Sequence, residues 1–293
     1  MIPEKCILKN DSMCAEILLD WGYDRSRYDR SAAVGQVWVG KHTFLSKESN
    51  GAGGVGLGGV GLTNVFEWKD TALYDSIGIA DFFPLLGVGL LKKTDMNPFA
   101  FNHDYCVEGF RHQYEISDQR VSVRTLPSYC LGAAADMTKS YTLDGSSLCV
   151  DLSVKNVGEK ELHAYEFCHN FIRFDDCPID SGYRFVFPYA ISPRMRRGEI
   201  AMSRSAFRPY RFDAPTASSS FWIDGWEGIK EHWVRIENEA LGMSVLIEDE
   251  FEPCRVYCWM NPDAGCPEVF RAIDLKPGES VQYRRKYSFH VDE

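Results

Sequence analysis

The sequence lacks the features that mark membrane, secreted or zinc-binding proteins. Its 10 cysteines include no CxxC pair and no zinc-ligand spacing. The longest apolar stretch, residues 77–91, is interrupted by Asp81 and Pro84 and is too short to span a bilayer. Near the N-terminus, Lys5 and Lys9 interrupt any signal-peptide pattern. These absences predict a reduced, cytoplasmic protein without a metal site and without a membrane partner.

Basic residues are also in deficit, with 32 Lys and Arg against 42 Asp and Glu, which gives a net charge of −10. A negative surface repels phosphate backbones, so nucleic acid is not an expected partner, whereas a neutral small molecule is compatible. Six of the arginines are concentrated in residues 194–211. This segment is either a solvated loop or edge strand, or an anchor for a phosphate group on a substrate.

Common catalytic motifs are missing as well. There is no GxSxG, HExxH or kinase signature, so hydrolase and metalloprotease functions lack support. The pattern GxGxxG does occur, at residues 51–56 and 56–61, but not between a clear strand and a helix, so a nucleotide-binding function also lacks support. The glycine-rich segment 51–61 does not end in the Lys-Ser/Thr of a phosphate-binding loop. We interpret it as a flexible or closely packed connection between early strands.

What the sequence does contain is period-two alternation, the pattern of half-buried strands. Apolar residues alternate with polar ones over 148–154, and the turn signal Asp144-Gly145 precedes them. A hairpin is therefore predicted between 139–143 and 148–154, followed by a strand over 162–171. A second hairpin is predicted around residues 238–242, and a last strand over 281–289 after the turn 276–279.

Together these patterns predict one all-β domain over residues 1–293, an antiparallel sandwich with few short helices. The first part of the chain, about 50 residues, is expected to form edge strands and a loop. Helical spacing of apolar residues predicts one helix over residues 13–21.

Two titratable residues are candidates for catalysis. His169 lies in the apolar segment Glu166-Phe-Cys-His-Asn-Phe171, and Glu268 lies in Cys266-Pro-Glu-Val-Phe270. An imidazole and a carboxyl group held on strands can carry out paired acid/base chemistry if both face a common hollow. Each could equally be a structural residue, His169 as a satisfied core histidine and Glu268 as a strand-end carboxylate.

A further group of polar and aromatic residues has the composition of a sugar-binding cleft. Aromatic rings stack on the C–H faces of sugars while polar groups bind hydroxyls, although such a loop can also be structural. The candidate substrate-binding residues are His103, Tyr105, Arg111, His112, Asn170 and Asp224.

Several of these elements, in this order, resemble the galactose mutarotase-like superfamily and within it the aldose 1-epimerase group. The resemblance runs over about residues 55–290. It rests on Gly87-Val-Gly-Leu-Leu91, the hairpin 141–160 with its Asn-x-Gly turn, the histidine strand, the Pro267-Glu268 segment and Leu275-Lys-Pro-Gly-Glu-Ser280.

The resemblance implies a β-supersandwich that interconverts the anomers of an aldose. His169 would protonate the ring oxygen and Glu268 would remove the proton of the C1 hydroxyl, so that the ring opens and closes again as the other anomer. This chemistry implies a cationic imidazole and an anionic carboxylate near neutral pH, and no cofactor. The family's histidine–glycine pair is absent, so His103 or His112 would have to replace its second histidine, and Asp224 its aspartate.

Two other functions remain open on the same scaffold: a non-catalytic carbohydrate-binding protein and a sugar-phosphate mutarotase. The second would require that residues 194–211 reach the cleft. In each case the expected partner is a small-molecule sugar, and the expected assembly is a monomer or homodimer.

Overall fold

A computed structural model describes residues 4–19, 21–49 and 56–292. The one helical turn within these ranges, α1, is Ala72–Asp75. The strands of the first half are β1 Lys5–Lys9, β2 Cys14–Leu19, β3 Ala32–Val39, β4 His42–Thr43, β5 Leu62–Trp68, β6 Phe82–Leu85, β7 Gly89–Lys92, β8 Cys106–Gly109, β9 His112–Ile116, β10 Arg120–Thr125, β11 Ala135–Asp144 and β12 Ser147–Asn156. Those of the second half are β13 Leu162–Asn170, β14 Tyr183–Val186, β15 Ser192–Arg197, β16 Ile200–Met202, β17 Ala206–Pro209, β18 Ser219–Asp224, β19 His232–Asn238, β20 Met243–Asp249, β21 Arg255–Asn261, β22 Ala264–Leu275 and β23 Ser280–Val291.

The strands form two large antiparallel sheets and one small one. The first sheet has the order β1-β2-β3-β5-β13-β22-β21-β18-β15, with β4 added beside β3. The second sheet has the order β16-β17-β14-β19-β20-β23-β12-β11-β10-β9, and β6-β7-β8 form the small sheet. This arrangement confirms the predicted all-β antiparallel sandwich, and it places β13 and β22 side by side in the middle of the first sheet.

The predicted hairpins are confirmed because their turn residues adopt the conformations that the turns require. Gly145 has a φ of 56° between β11 and β12, and Gly242 has a φ of 62° between β19 and β20. Few residues other than glycine adopt this region without strain. After β12 the chain crosses to the first sheet, so that β13 pairs with β5 and β22 rather than with its sequence neighbour.

Strand β13 contributes to packing on both of its faces. Ala164 and Cys168 belong to the main apolar core between the two large sheets. Phe167 and Phe171 belong to a second apolar cluster on the opposite face of the first sheet, together with Tyr28. Because alternate residues of a strand point to opposite faces, His169 lies on the face of the second cluster.

The helix predicted over residues 13–21 is wrong, since this segment contains strand β2. Ala15, Ile17 and Leu19 are fully buried and alternate with partly exposed residues. Pairing with β1 on one side and β3 on the other overrides the helical spacing of the apolar residues.

The glycine-rich segment lies partly outside the described residues, which exclude 50–55. Its described end supports close packing rather than phosphate binding. A Cβ atom at Gly59 would collide with the rings of Phe171 and Tyr28, and one at Gly61 would collide with the carbonyl oxygen of Val34. In the part of the chain that the structure describes, no helix has the length and apolarity needed to cross a membrane.

Candidate active site

His169 and Glu268 meet on one face of the first sheet. The bridge between Ile172 and Gly265 keeps the register of the β13–β22 ladder, which places His169 opposite Glu268. His169 Nε2 lies 3.2 Å from Glu268 Oε1. Cross-strand neighbours bring their Cβ atoms to about 5 Å, so the two side chains are in direct contact, closer than the width of a sugar ring.

Aromatic rings enclose this pair. The imidazole of His169 stacks on Phe171 with 4.3 Å between ring centroids and meets the edges of Tyr28 at 6.0 Å and Trp259 at 5.8 Å. Only 11% of the His169 side chain and 5% of the Glu268 side chain are exposed. Neither group is therefore well hydrated, and burial favours the uncharged form of each.

The pKa values shift in the directions that burial predicts. Burial, with a smaller contribution from the cation of Arg27, lowers the pKa of His169 to about 3. Burial raises the pKa of Glu268 to about 8, although Arg27 opposes this shift. Both directions favour a protonated Glu268 that donates to Nε2 of a neutral His169 in the unliganded protein, the reverse of the imidazolium–carboxylate pair that the resemblance implies.

Nδ1 of His169 is buried and has no hydrogen-bond partner among the described residues. When Nε2 of a neutral imidazole accepts a hydrogen bond, the proton of the ring is on Nδ1. An unsatisfied buried donor costs about 1–3 kcal/mol. Such a cost at a buried titratable group is typical of a functional site rather than of a structural histidine.

A buried arginine supplies the nearest cation. Arg27 Nη1 donates to Glu67 Oε1 at 2.9 Å, and only 12% of the Arg27 side chain is exposed. Its guanidinium lies 4.3 Å from the ring centroid of Phe101 and 5.6 Å from that of Phe167. The ion pair with Glu67 therefore keeps a positive charge close to Glu268.

Tyr28 is held against His169 by a second carboxylate. Its hydroxyl donates to Glu48 Oε2 at 2.8 Å, and the backbone N–H of Gly59 donates to the same oxygen at 3.0 Å. Burial raises the pKa of Tyr28 well above its ordinary value. Tyr28 is therefore a hydrogen-bonded wall of the site and not a proton donor to a substrate at neutral pH.

The face continues past Glu268 onto β21 and β18. Tyr257 is the register partner of Glu268, and the ring of Trp222 lies 4.7 Å from that of Tyr257. Asp224 follows two residues later on the same face, where Arg194 Nε donates to it at 2.7 Å. Arg196 interacts electrostatically with Tyr257, so the arginine-rich segment begins at the edge of this face.

Of the predicted substrate-binding residues, His103 and Tyr105 lie near Arg27 but not at the His169–Glu268 pair. Ser26, which precedes Arg27, donates through its hydroxyl to the carbonyl of His103. Tyr105 is buried and contributes to a small void together with Arg27. Both residues shape the surroundings of Arg27.

The structure does not bring Arg111, His112 or Asn170 to the site. Arg111 precedes β9, and His112 begins this edge strand of the second sheet. Asn170 faces the core between the large sheets, where its amide donates to Pro267 and accepts from Tyr287. Asn170 points away from His169 because adjacent residues of a strand face opposite sides of the sheet.

Sequence reasoning missed Arg27, Glu67, Tyr28 and Trp259. Period two could have identified Glu67 and Trp259, each on an aromatic-rich strand and in phase with the face that carries His169 and Glu268. Arg27 and Tyr28 lie in the irregular segment between β2 and β3, where no periodicity fixes the direction of a side chain. Over residues 4–19, 21–49 and 56–292, no cluster of three or more His, Cys, Asp or Glu is arranged to hold a metal ion.

No protein-family model matches the sequence, and no curated protein matches it either. Solved structures do resemble the fold. A galactose mutarotase-like protein from Lactobacillus casei has a TM-score of 0.59 at 14% identity, with 98% of this chain and 100% of that chain covered. A galactose mutarotase related enzyme from Lactobacillus acidophilus has a TM-score of 0.58 at 14% identity, with 99% of each chain covered.

A third structure, an aldose epimerase homologue from C. elegans, has a TM-score of 0.52 at 11% identity and covers 98% of this chain and 99% of that chain. At these low identities the comparisons show a similar fold only and give no evidence of a shared reaction. The chain therefore has the galactose mutarotase-like fold, as the ordered motifs of the sequence predicted.

Proposed function

We propose that the protein interconverts the anomers of an aldose, with His169 and Glu268 as the acid/base pair. The observation that carries this proposal is the direct contact between the two groups, which are 3.2 Å apart and almost buried. The directions of their pKa shifts favour one shared proton between them at neutral pH. Anomer interconversion needs a site that gives one proton and takes one proton in the same event.

The proton count of the reaction matches that of the pair. In ring opening the C1 hydroxyl loses a proton, the bond between C1 and the ring oxygen breaks, a carbonyl forms at C1, and the ring oxygen gains a proton. Sugar hydroxyls that donate to Glu268 would favour its carboxylate and move the shared proton to His169. His169 then protonates the ring oxygen and Glu268 takes the C1 proton, so the pair still holds one proton after the step.

The low exposure of the pair sets a condition on binding. At 11% and 5% exposure the two side chains do not present the area of a pyranose ring. We therefore expect the neighbouring side chains, of which Phe101 is half exposed, to move apart when a sugar binds.

Exchange NMR on a panel of free hexoses and hexose 6-phosphates tests the proposal. His169→Asn and Glu268→Gln should each lower kcat/KM by about 10²–10⁴-fold, because each removes one partner of the proton exchange. The pair His163 and Asp274 provides the matched control. It occupies the same two strands in the same register but is exposed, so His163→Gln and Asp274→Asn should leave the rate unchanged.

The same measurement predicts a pH profile. The pair holds one proton between the pKa of His169, about 3, and that of Glu268, about 8. Activity should be level through neutral pH and fall above about pH 8, since Glu268 then loses the shared proton. Wild-type rates equal to those of both variants across the panel would contradict catalysis, and sugar binding without catalysis would identify a carbohydrate-binding protein.

A sugar-phosphate mutarotase is a second candidate, because one arginine reaches the relevant face. Arg196 lies on β15 and its charge acts on Tyr257, the register neighbour of Glu268. The backbones of β15 and β22 are three strands, or about 14 Å, apart, so the Arg196 side chain would have to extend along the face towards β22 to meet the phosphate of a hexose 6-phosphate. A higher kcat/KM for hexose 6-phosphates than for free hexoses would favour this candidate.

We also propose a reducing compartment such as the cytoplasm. All 10 cysteines are present as free thiols, and burial raises the pKa of Cys168 to about 12. A thiol with so high a pKa has little thiolate and reacts slowly with oxidants. Mass spectrometry of protein extracted under thiol-trapping conditions tests this proposal.

A further inference from the structure

A cavity of about 400 Å³ lies beside the end of β5, between α1 and the small sheet. The rings of Trp68, Phe99 and Phe101 form much of its wall, and Glu67, Asp70 and Asn102 supply polar groups. Ligand sites of small molecules have this volume and this composition, with apolar rings and a few polar atoms that fix orientation.

The chemistry of the lining selects an uncharged ring with hydroxyl groups. Aromatic faces pack on the C–H faces of a ring, while carboxylate and amide oxygens accept from hydroxyls at its edge. The lining contains two carboxylates and neither lysine nor arginine. Arg27, the nearest cation, is already bound to Glu67. An anionic group would therefore be repelled from this cavity.

Glu67 and Arg27 link the cavity to the surroundings of the His169–Glu268 pair. Glu67 lines it and holds Arg27, whose guanidinium lies 5.6 Å from the ring of Phe167. On β5, Glu67 is four residues from Thr63, the register partner of His169. Four residues of a strand span about 13 Å, which is longer than one sugar ring.

We propose that the cavity binds the second ring of an oligosaccharide whose reducing end is held at His169 and Glu268. This inference rests on the proposed function and adds the class of its substrate: a neutral di- or oligosaccharide rather than a free hexose. Phe101, which is 51% exposed, would then form the boundary between the two rings.

The experiment compares glucose with maltose, cellobiose and lactose, which share glucose as the reducing end. At least one disaccharide should exceed glucose in kcat/KM by about tenfold or more, the effect of one additional packed group. Ala100 lines the cavity, so Ala100→Trp should fill it and abolish this advantage while glucose is converted as before. Met96→Trp is the matched control, because Met96 is 68% exposed and does not line the cavity.

Asn102→Trp, at an exposed position of the lining, repeats the test if Ala100→Trp does not fold. Equal kcat/KM for glucose and all three disaccharides would overturn the inference, as would an equal loss for glucose and disaccharide in the filled variants. If no sugar is converted but calorimetry shows disaccharide binding that Ala100→Trp removes, the cavity is confirmed and the proposed catalysis is not. Absence of both binding and conversion would contradict both.

Discussion

Two histidine–carboxylate pairs join β13 and β22, and their pKa values shift in opposite directions because one pair is exposed and the other is buried. At the exposed end, His163 Nδ1 lies 2.9 Å from Asp274 Oδ1, and about half of each side chain is exposed. A hydrogen bond to Asp274 raises the pKa of His163. Hydrogen bonds from Lys69 and His163 outweigh burial and lower the pKa of Asp274. This pair is an ordinary ion pair.

Six residues further along the same strands, His169 and Glu268 have pKa values shifted in the reverse directions. The residue types and the cross-strand geometry are similar, so desolvation is the cause of the difference. Water stabilises the charges of the exposed pair, whereas the aromatic cluster around His169 excludes it. What distinguishes the candidate active site is therefore its environment and not its residue types.

The inner face of β13 carries a buried carboxylate that has a cationic partner. Glu166 is fully buried, and Arg285 Nη1 donates to its Oε1 at 2.8 Å. Arg285 Nε also donates to Asp249 at 2.9 Å. A buried cation with two buried carboxylates forms a structural ion-pair network, which differs from the His169–Glu268 pair, where burial favours the uncharged forms.

The largest expected loss of stability comes from removing the guanidinium of Arg285. Arg285→Met should lower the free energy of unfolding by about 3–5 kcal/mol, since Glu166 and Asp249 would lose the buried guanidinium that both share, and Asp249 would keep only its contact with His232. Urea titration measures this loss. Arg284→Met is the control, because Arg284 is the next residue on β23 but pairs with Asp151 at a partly exposed position.

If Arg285→Met does not fold, Arg285→Lys retains the charge and should fold with an intermediate loss. A loss below about 1 kcal/mol for Arg285→Met, equal to that of Arg284→Met, would contradict the structural role of the network.

The fold was largely predictable from sequence, because it depends on local patterns. The turn Asp144-Gly145 and the alternation over 148–154 specify a hairpin without reference to the rest of the chain. The segment 13–21 was misread because Ile17, Leu18 and Trp21 have helical spacing, and only pairing with β1 and β3 decides between helix and strand.

The candidate site was predictable only in part. His169 and Glu268 could each be selected from their apolar strands, but their contact depends on the register between segments about a hundred residues apart. Arg27 could not be selected at all, because it lies in an irregular segment whose position follows from tertiary packing. The protonation of the pair depends on these packed neighbours, which shift both pKa values towards the uncharged forms, against the charges that the resemblance implies.

Glu268→Gln is expected to have an intermediate effect on the free energy of unfolding, and this effect depends on pH. Folding raises the pKa of Glu268 from 4.5 to about 8, so the folded protein holds a proton that the unfolded chain releases. This advantage is complete below pH 4.5 and is lost as pH rises towards about 8. Over this range the free energy of unfolding falls by about 1.4 kcal/mol per pH unit at most.

The glutamine amide introduced by Glu268→Gln cannot titrate, so the variant should gain in melting temperature relative to wild type as pH rises from 5 to 8, while it loses activity. NMR titration adds a control: His163 should titrate above 6.5, and His169 should remain neutral over the same range. A melting-temperature difference that does not change with pH would show that Glu268 is ionised in the folded protein.

The smallest effect is expected at the exposed pair. Asp274→Asn should lower the free energy of unfolding by less than about 1 kcal/mol near neutral pH, because water and salt screen this pair. The lowered pKa of Asp274 means that its stabilisation is present above its ordinary pKa of 3.8 and is lost as pH falls. Its pH dependence thus has the opposite sign to that of Glu268→Gln, and added salt should reduce it further. Melting curves of both variants over the same pH series test this prediction. If the difference in melting temperature from wild type changes with pH in the same direction for both variants, burial does not cause the difference between the two pairs.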